Sequence, residues 1–321
     1  MQQYVARRLL LMIPTLLVLS LIIFGMLRIL PGDVAELILG GGGSEGGAVV
    51  SESSIQKVRE KLGLNRPLYI QYFDWLWDTV RGDFGTSLYG NVSIGGQIAQ
   101  RAPLTLEIAI FAKIFSLLIG IPIGVISAVK QNSFIDLFLR FWSIFFLAAP
   151  TFWLALLVIL GGALWFNWLP PMGYNPIWQD PIANFMQLLW PVAILTSHGL
   201  ATIARMTRSS MLEVMREDYI RTARAKGLRE QAVIVRHALK NALIPVVTIA
   251  GLQFAGLVAG TVILEYIFGI PGIGSYLIQA IQNKDFPVVQ AMVVVFAVMF
   301  MLINLVIDLL YGWVDPRISY S

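Results

Sequence analysis

The sequence predicts an all-α integral membrane protein with six transmembrane helices, and three observations carry that expectation. Hydrophobic residues make up 57% of the 321 positions and charged ones only 13%, too few to cover the surface of a soluble domain. The apolar residues fall in runs of roughly 20, the length a helix needs to cross about 30 Å of hydrocarbon. Cysteine is absent and histidine occurs twice, which excludes disulfide frameworks, thiolate catalysis and Cys-based metal sites and argues against a His-rich one.

The spans fall at about 9–30, 103–129, 136–165, 183–204, 242–268 and 287–311. The first, behind Arg7-Arg8, reads as a retained anchor: its apolar stretch outruns a signal peptide, and no small-residue cleavage site follows before Pro31-Gly32-Asp33. Pro14, Pro122, Pro150 and Pro191 lie inside spans, where neighbouring helices are expected to satisfy the freed backbone groups.

Orientation follows from lysine and arginine in the short loops. With a cytoplasmic N-terminus, the inside receives Arg7, Arg8, Lys130, Arg140, the cations of residues 205–240 and Arg317, whereas the short outer loops hold only Lys284. Both termini are then cytoplasmic. Residues 31–102 form an extracytoplasmic segment with partly helical character. Its glycine tract at 40–47 reads as a flexible tether. Ser53 and Gln56 make a capping-box start, with Ile55, Val58 and Leu62 on one face and Gly63 as the stop. A second helix follows Pro67 with Tyr69, Tyr72, Phe73, Leu76 and Val80 as its apolar side. The expected divisions are an N-terminal transmembrane helix (1–30), this segment as a lid or docking surface (31–102), and a core transmembrane domain (103–321).

The basic segment 205–240 holds nine cations, Arg205, Arg208, Arg216, Arg221, Arg224, Lys226, Arg229, Arg236 and Lys240, against four acids, while the whole chain carries only +4. From Ser210 to Lys226 there is neither proline nor glycine, so a helix is expected to run to Gly227 as its C′ residue. Leu212, Met215, Tyr219 and Ala223 would share its apolar face, and Glu217 is placed to pair with Arg221. A short helix over about 229–240 then leads into the fifth span. The product is a helical hairpin able to pass force from a cytoplasmic partner to two spans. A basic amphipathic helix lying on anionic lipid fits less well. Its interleaved acids would be repelled, and Thr222, Ala223, Ala225 and Gly227 suit close approach to a protein groove.

Asp218-Tyr219-Ile220-Arg221-Thr222-Ala223-Arg224-Ala225-Lys226-Gly227 resembles the cytoplasmic "EAA" coupling loop of bacterial ABC importer permeases, in its peptide/nickel version. The glutamate of the general form is absent, Arg221-Thr222-Ala223 standing in its place, and Pro245 lies further on; both departures are shared with the peptide branch. The likeness extends over nearly the full length. It includes Gly82-Asp83-Phe84-Gly85, Arg101 through Glu107, Asn241 through Val247, Pro271-Gly272-Ile273-Gly274, Asp285 through Val289 and Asp315-Pro316-Arg317. The chain is similar to the first permease subunit of dipeptide/oligopeptide importers, the DppB/OppB type, although the glycine tract is unusual for that family.

The resemblance implies a type I ABC importer permease fold in the bacterial inner membrane and import of di- or oligopeptides by alternating access. It implies a second homologous permease subunit, two cytoplasmic ATPase subunits that bind ATP and Mg, and an extracytoplasmic substrate-binding protein. Nickel chelates, glutathione, opines and sugars are alternative cargoes within the family. No G-x-x-x-x-G-K-[S/T] occurs, so no ATP-binding loop is expected on this chain, nor catalysis, a resident cofactor or a nucleic-acid partner. The implied ATPase-coupling residues are Glu217, Asp218, Tyr219, Arg221, Thr222, Ala223, Arg224, Ala225, Lys226 and Gly227.

Charges within the spans mark the candidate translocation path or gate. Lys113 lies roughly 15 Å deep by helical rise and either meets a substrate carboxylate or serves only stability. Glu265 is a candidate outer gate or a structural cap, and Gln253 a third candidate. Gly256 and Gly260 read as a packing pair, His198 as a satisfied hydrogen-bonder, and Asp308, on one face with Asn304, as a helix anchor. Gly42-x-Ser44-x-Gly46 has no base within reach, and Ser54-x-x-Lys57 and Asp83-Phe84-Gly85 lack supporting motifs. A stand-alone secondary transporter would need midplane coupling residues and repeats that the sequence does not offer, and an intramembrane enzyme a nucleophile–base pair.

Overall fold

The computed structural model describes residues 2–29 and 65–314, with Glu52, Ser53, Gln56 and Arg59 between them. The glycine tract, most of the expected helix after Ser53, Pro31-Gly32-Asp33 and Asp315-Pro316-Arg317 lie outside the described residues, as does the Asp308 side chain. Among the described residues five helices are long and apolar enough to cross a membrane, and a bent helix pair makes a sixth span if counted as one. The chain packs as two compact units, residues 1–103 with 272–305 and residues 104–271 with 306–321.

The first unit holds α1 (Gln2–Ile29), α2 (Leu68–Val80), the start of α3 (Ile94–Val129), α10 (Ile273–Gln282) and most of α11 (Phe286–Val314). The face of α2 turned to α1 differs from the expected one. Tyr72 is buried, edge-on to Phe24, with its hydroxyl 2.8 Å from Ser20 Oγ, while Tyr69, Phe73 and Val80 are exposed. Trp75, near Phe24, and Leu76 share Tyr72's side, so the packed stripe runs 72, 75, 76. A buried cluster of Ile94, Ile273, Ala280, Val288, Ala291 and Met292 forms the core of this unit. Asp285, almost fully buried, accepts a 2.5 Å hydrogen bond from Ser87 Oγ and one of 3.3 Å from the Leu88 amide, which pins the turn before α3.

The second unit is built on α3 from Leu104 onward, packed with α6 (Pro181–Val214) and α9 (Leu239–Ile267). Leu104, Ile108 and Ala112 meet Leu188, Val192 and Leu195 of α6 and Leu257 and Leu264 of α9, each set at helical spacing. Below them α3 carries Ala112, Ser116, Gly120 and Gly124, one small residue per turn, and α6 packs tightly against these positions. Ser116 Oγ donates to Thr196 O at 3.2 Å, and Thr196 Oγ1 donates to Ala112 O at 3.4 Å. In hydrocarbon, where apolar side chains gain little from leaving lipid, small residues and interhelical hydrogen bonds are what hold helices together. A Cβ on Gly124 would lie 2.5 Å from Thr207 Cβ and 2.6 Å from the Ala204 carbonyl. Gly124→Leu is therefore expected to lower stability by about 1–3 kcal/mol, read as a fall in the melting temperature of the purified protein.

The third expected span is two helices. α4 (Phe134–Ala148) and α5 (Thr151–Phe166) are bent by 101° at Ala149-Pro150. Proline forces the residue before it into extended backbone, and Ala149 sits at φ −73°, ψ 124°. Each helix rises only about 22–24 Å, less than the hydrocarbon thickness.

Two further expectations are corrected. The helix expected from Ser210 to Gly227 ends at Val214, and α7 (Asp218–Ala225) begins anew after an extended Glu217 at ψ 148°. The reason is burial: in one straight helix Tyr219 would share the face of Met215, whereas the break turns Ile220 inward instead, to 0% exposure. Similarly, the helix expected over 229–240 is α8 (Glu230–Ala232) followed by a π-helical turn at Val233–Ala238 that runs into α9.

Candidate coupling surface and membrane cavity

The hairpin of α7 and α8 stands on one buried cluster, formed by Ala128 of α3, Met211 of α6, Ile220 and Ala223 of α7, Val233 and Ala238 of the π turn, and Ala242 of α9. A load on α7 thus reaches three long helices through close-packed side chains, which resist compression. The C-terminus of α7 is a Schellman motif. Leu228 N donates to Ala223 O at 3.4 Å, Gly227 N donates to Arg224 O at 2.9 Å, and Gly227 takes φ +77°, the left-handed region that glycine occupies without penalty. A Cβ built on Gly227 meets nothing within 4 Å, so the space beside it is open.

The coupling candidates divide by environment. Ala223 faces the buried cluster, whereas Glu217, Asp218, Arg221, Thr222, Ala225, Lys226 and Gly227 are exposed. Tyr219, expected on the apolar face, is exposed, and its hydroxyl accepts from Asn241 Nδ2 at 2.8 Å. Arg221 pairs with Asp218 at 3.2 Å rather than with Glu217, which instead offers its carbonyl to the Ile220 and Arg221 amides as the N-cap of α7. Arg224 makes two hydrogen bonds to Glu230, at 2.6 and 3.1 Å, and so closes the loop 226–229. The Glu230 carboxylate raises the Arg224 pKa above its ordinary value.

A second cluster was invisible at the level of motifs. Asp136, in the first turn of α4, has 0% exposure and accepts two hydrogen bonds from Arg208 of α6, each 2.9 Å. It also accepts from the Ser127 hydroxyl and from the Asn132 amide at 3.0 Å, with Arg140 at 3.5 Å. In the sequence Arg140 stands only as a topology marker and Arg208 only as one of the nine cations of the basic segment. The signal present was a lone acid opening an otherwise apolar run. Arg208 lies one turn before Met211 of the hairpin's cluster, and Ser127 precedes Ala128.

The cavity lies in the same unit. It has a volume of about 460 Å³ and is lined by residues of α3, α6 and α9 and by the Ala149-Pro150 break. Lys113, Gln253 and His198 all reach it. Lys113 is only 8% exposed, and neither its Nζ, nor His198 Nδ1, nor Gln253 Oε1 has a hydrogen-bond partner among the described residues. His198 is thus a cavity residue and not a fully satisfied interhelical bonder. Gly260 packs against Leu195, but a Cβ on Gly256 would meet nothing within 4 Å, so of the two glycines only one packs closely.

Glu265 does not line this cavity. It is fully buried, and its carboxylate accepts from Thr105 Oγ1 at 2.7 Å, tying α9 to α3. Its backbone carbonyl accepts from the Ile270 amide at 2.8 Å, next to Gly269 at φ +66°. Glu107 accepts from the Tyr174 hydroxyl at 2.6 Å; burial first, and this carboxylate second, push that phenol above its ordinary range. No group of three or more His, Asp or Glu among the described residues is placed to hold a metal ion.

The helical hairpin between two long helices invites comparison with known transporters. The family model described as "Binding-protein-dependent transport system inner membrane component" matches residues 120–320, and its N-terminal companion matches residues 1–109. The chain belongs to this family. The permease is 42% identical to the dipeptide transport system permease protein DppB of Alkalihalophilus pseudofirmus and 38% identical to DppB of Escherichia coli, in each case over 100% of both chains. Its fold matches the MetNI methionine ABC transporter in an inward-facing conformation with a TM-score of 0.56 at 20% identity. That match covers 68% of the permease and 96% of the other chain. The fold is the type I ABC importer permease fold, and the permease is a multi-pass inner-membrane component of a transport system.

Proposed function

We propose that the permease carries di- or oligopeptides across the inner membrane by alternating access, driven by ATP that partner subunits bind with Mg and hydrolyse. The full-length likeness to dipeptide permeases supports the cargo. The working complex consists of this chain, a second homologous permease, two cytoplasmic ATPases and an extracytoplasmic substrate-binding protein. Both termini and the segment 205–240 face the cytoplasm, and residues 31–102 face the other side as a docking surface or lid.

The observation that carries the reading is the two-sided hairpin. Its inner side, Ile220 and Ala223, is buried in a cluster shared with three long helices, while its outer side is polar, small-residued and open at Gly227. ATPases gripping α7 would move α3, α6 and α9 together, and Lys113 and Gln253 on two of those helices line the path that opens and closes. Glu265 serves as a pin between α3 and α9 near that path.

Because the chain has no cysteine, a single introduced cysteine reports its own side of the membrane. Arg229→Cys is expected to react with a membrane-impermeant maleimide only after the cytoplasmic face is opened, and the solubilised permease should bring down both ATPases. Labelling of intact cells, or purification with no ATPase attached, would refute the reading.

A further inference from the structure

We infer that the cavity around Lys113 is an anion-binding site that takes the carboxylate of the transported solute. The inference deepens the proposed function, because it rests on this cavity belonging to the path.

The argument begins with an imbalance. A lysine ammonium at mid-membrane depth is costly to leave alone, and such groups ordinarily pair with an acid or face a functional cavity. Lys113 has no acid partner: none of the residues lining the cavity is Asp or Glu, and its Nζ makes no hydrogen bond among the described residues. Two more polar atoms of residues that line the cavity, His198 Nδ1 of α6 and Gln253 Oε1 of α9, are also without hydrogen-bond partners among the described residues. Three such atoms, on residues of three helices that line one cavity, point to a polar ligand, since buried polar groups are as a rule hydrogen-bonded.

The break at Ala149-Pro150 adds a second source of positive potential. Pro150 is the N-cap of the 16-residue helix α5, and no side chain caps the first amides. Pro150 and Thr151 both line the cavity, so the positive end of that helix opens at the same place as the lysine. A helix N-terminus and an unpaired ammonium together select a negative charge. Gln253 Oε1, an acceptor, suits an amide or ammonium N–H on the same ligand, which fits a small amino-acid-derived carboxylate better than a phosphate. Open space beside Gly256 and a volume of about 460 Å³ admit a molecule of dipeptide size.

The test is ligand-observed saturation-transfer NMR on the purified whole complex without its binding protein, using dialanine, dialanine amide and propionate as probes. Dialanine and propionate are expected to bind, and dialanine amide about tenfold more weakly or worse, the scale of one lost charge-assisted hydrogen bond. Lys113→Met should lose carboxylate binding by a similar factor, and Lys113→Arg should restore it. Removing an unpaired buried charge is not expected to impair folding. Equal binding of acid and amide, or an unchanged Lys113→Met complex, would overturn the proposal. So would failure of Lys113→Met to assemble with the second permease, which would assign the lysine to a subunit contact. ATP-driven dialanine uptake by the wild-type complex with its binding protein is measured in parallel. Its absence would refute peptide import while leaving the carboxylate site standing on the binding data.

Discussion

Gly227→Trp is expected to reduce ATP-driven uptake about 100-fold or more while leaving the permease inserted in the membrane at normal levels. Two effects combine in that number. A non-glycine residue at φ +77° costs about 1–2 kcal/mol, which alone would fray the end of α7. The indole then fills space that is open within the chain and that the proposed ATPase occupies, and blocking the centre of an interface carries effects on the scale of binding hot spots. Gly227→Asn separates the two, because asparagine tolerates the left-handed region and is smaller, so it should retain most activity. Uptake, substrate-stimulated ATP turnover and ATPase co-purification measure the outcome. Normal turnover in the tryptophan variant would remove the coupling role from α7.

The second large effect is expected at the clamp between α4 and α6. Asp136→Ala leaves Arg208 facing the cavity of a lost carboxylate, and breaking a buried pair by removing one partner costs about 3–5 kcal/mol. Arg208 keeps 18% side-chain exposure, which places the loss toward the lower end of that range. Asp136→Ala should therefore melt well below the wild type. The double variant Asp136→Ala with Arg208→Met should recover much of the loss, because the less exposed of the two arginines on Asp136 no longer stays behind unpaired, while Arg140 is 42% exposed and can turn to solvent. Thermal unfolding of the purified protein reads both. If the double variant melts as low as the single one, the clamp acts through shape and not through charge.

The long apolar runs were legible in the sequence because hydrocarbon thickness imposes their length, and the C′ glycine because only one residue type enters the left-handed region freely. The break between Val214 and Asp218 was not legible, since no proline or glycine marks it. It follows from which of two neighbours, Tyr219 or Ile220, finds a buried cluster, and that depends on Val233 and Ala238, which lie further along the chain. The same limit explains α2, whose aromatic residues surround the helix and name no single face until the Tyr72 hydroxyl meets Ser20 Oγ in a hydrogen bond. Pro150 was readable as a proline in a span but not as a 101° bend. Lys113 was readable as a buried charge, yet its company with His198 and Gln253 exists only once three helices are folded together.

The wide turn at Val233–Ala238 has a mechanical meaning. A π turn stores one more residue than the α-helix needs for the same rise, and single π turns inside helices occur frequently at functional sites. Shifting that surplus by one peptide swivels everything on its N-terminal side by about 100° per residue with backbone hydrogen bonds exchanged rather than lost. Such a shift would let the joint between hairpin and α9 move in discrete steps where an ordinary helix would only bend.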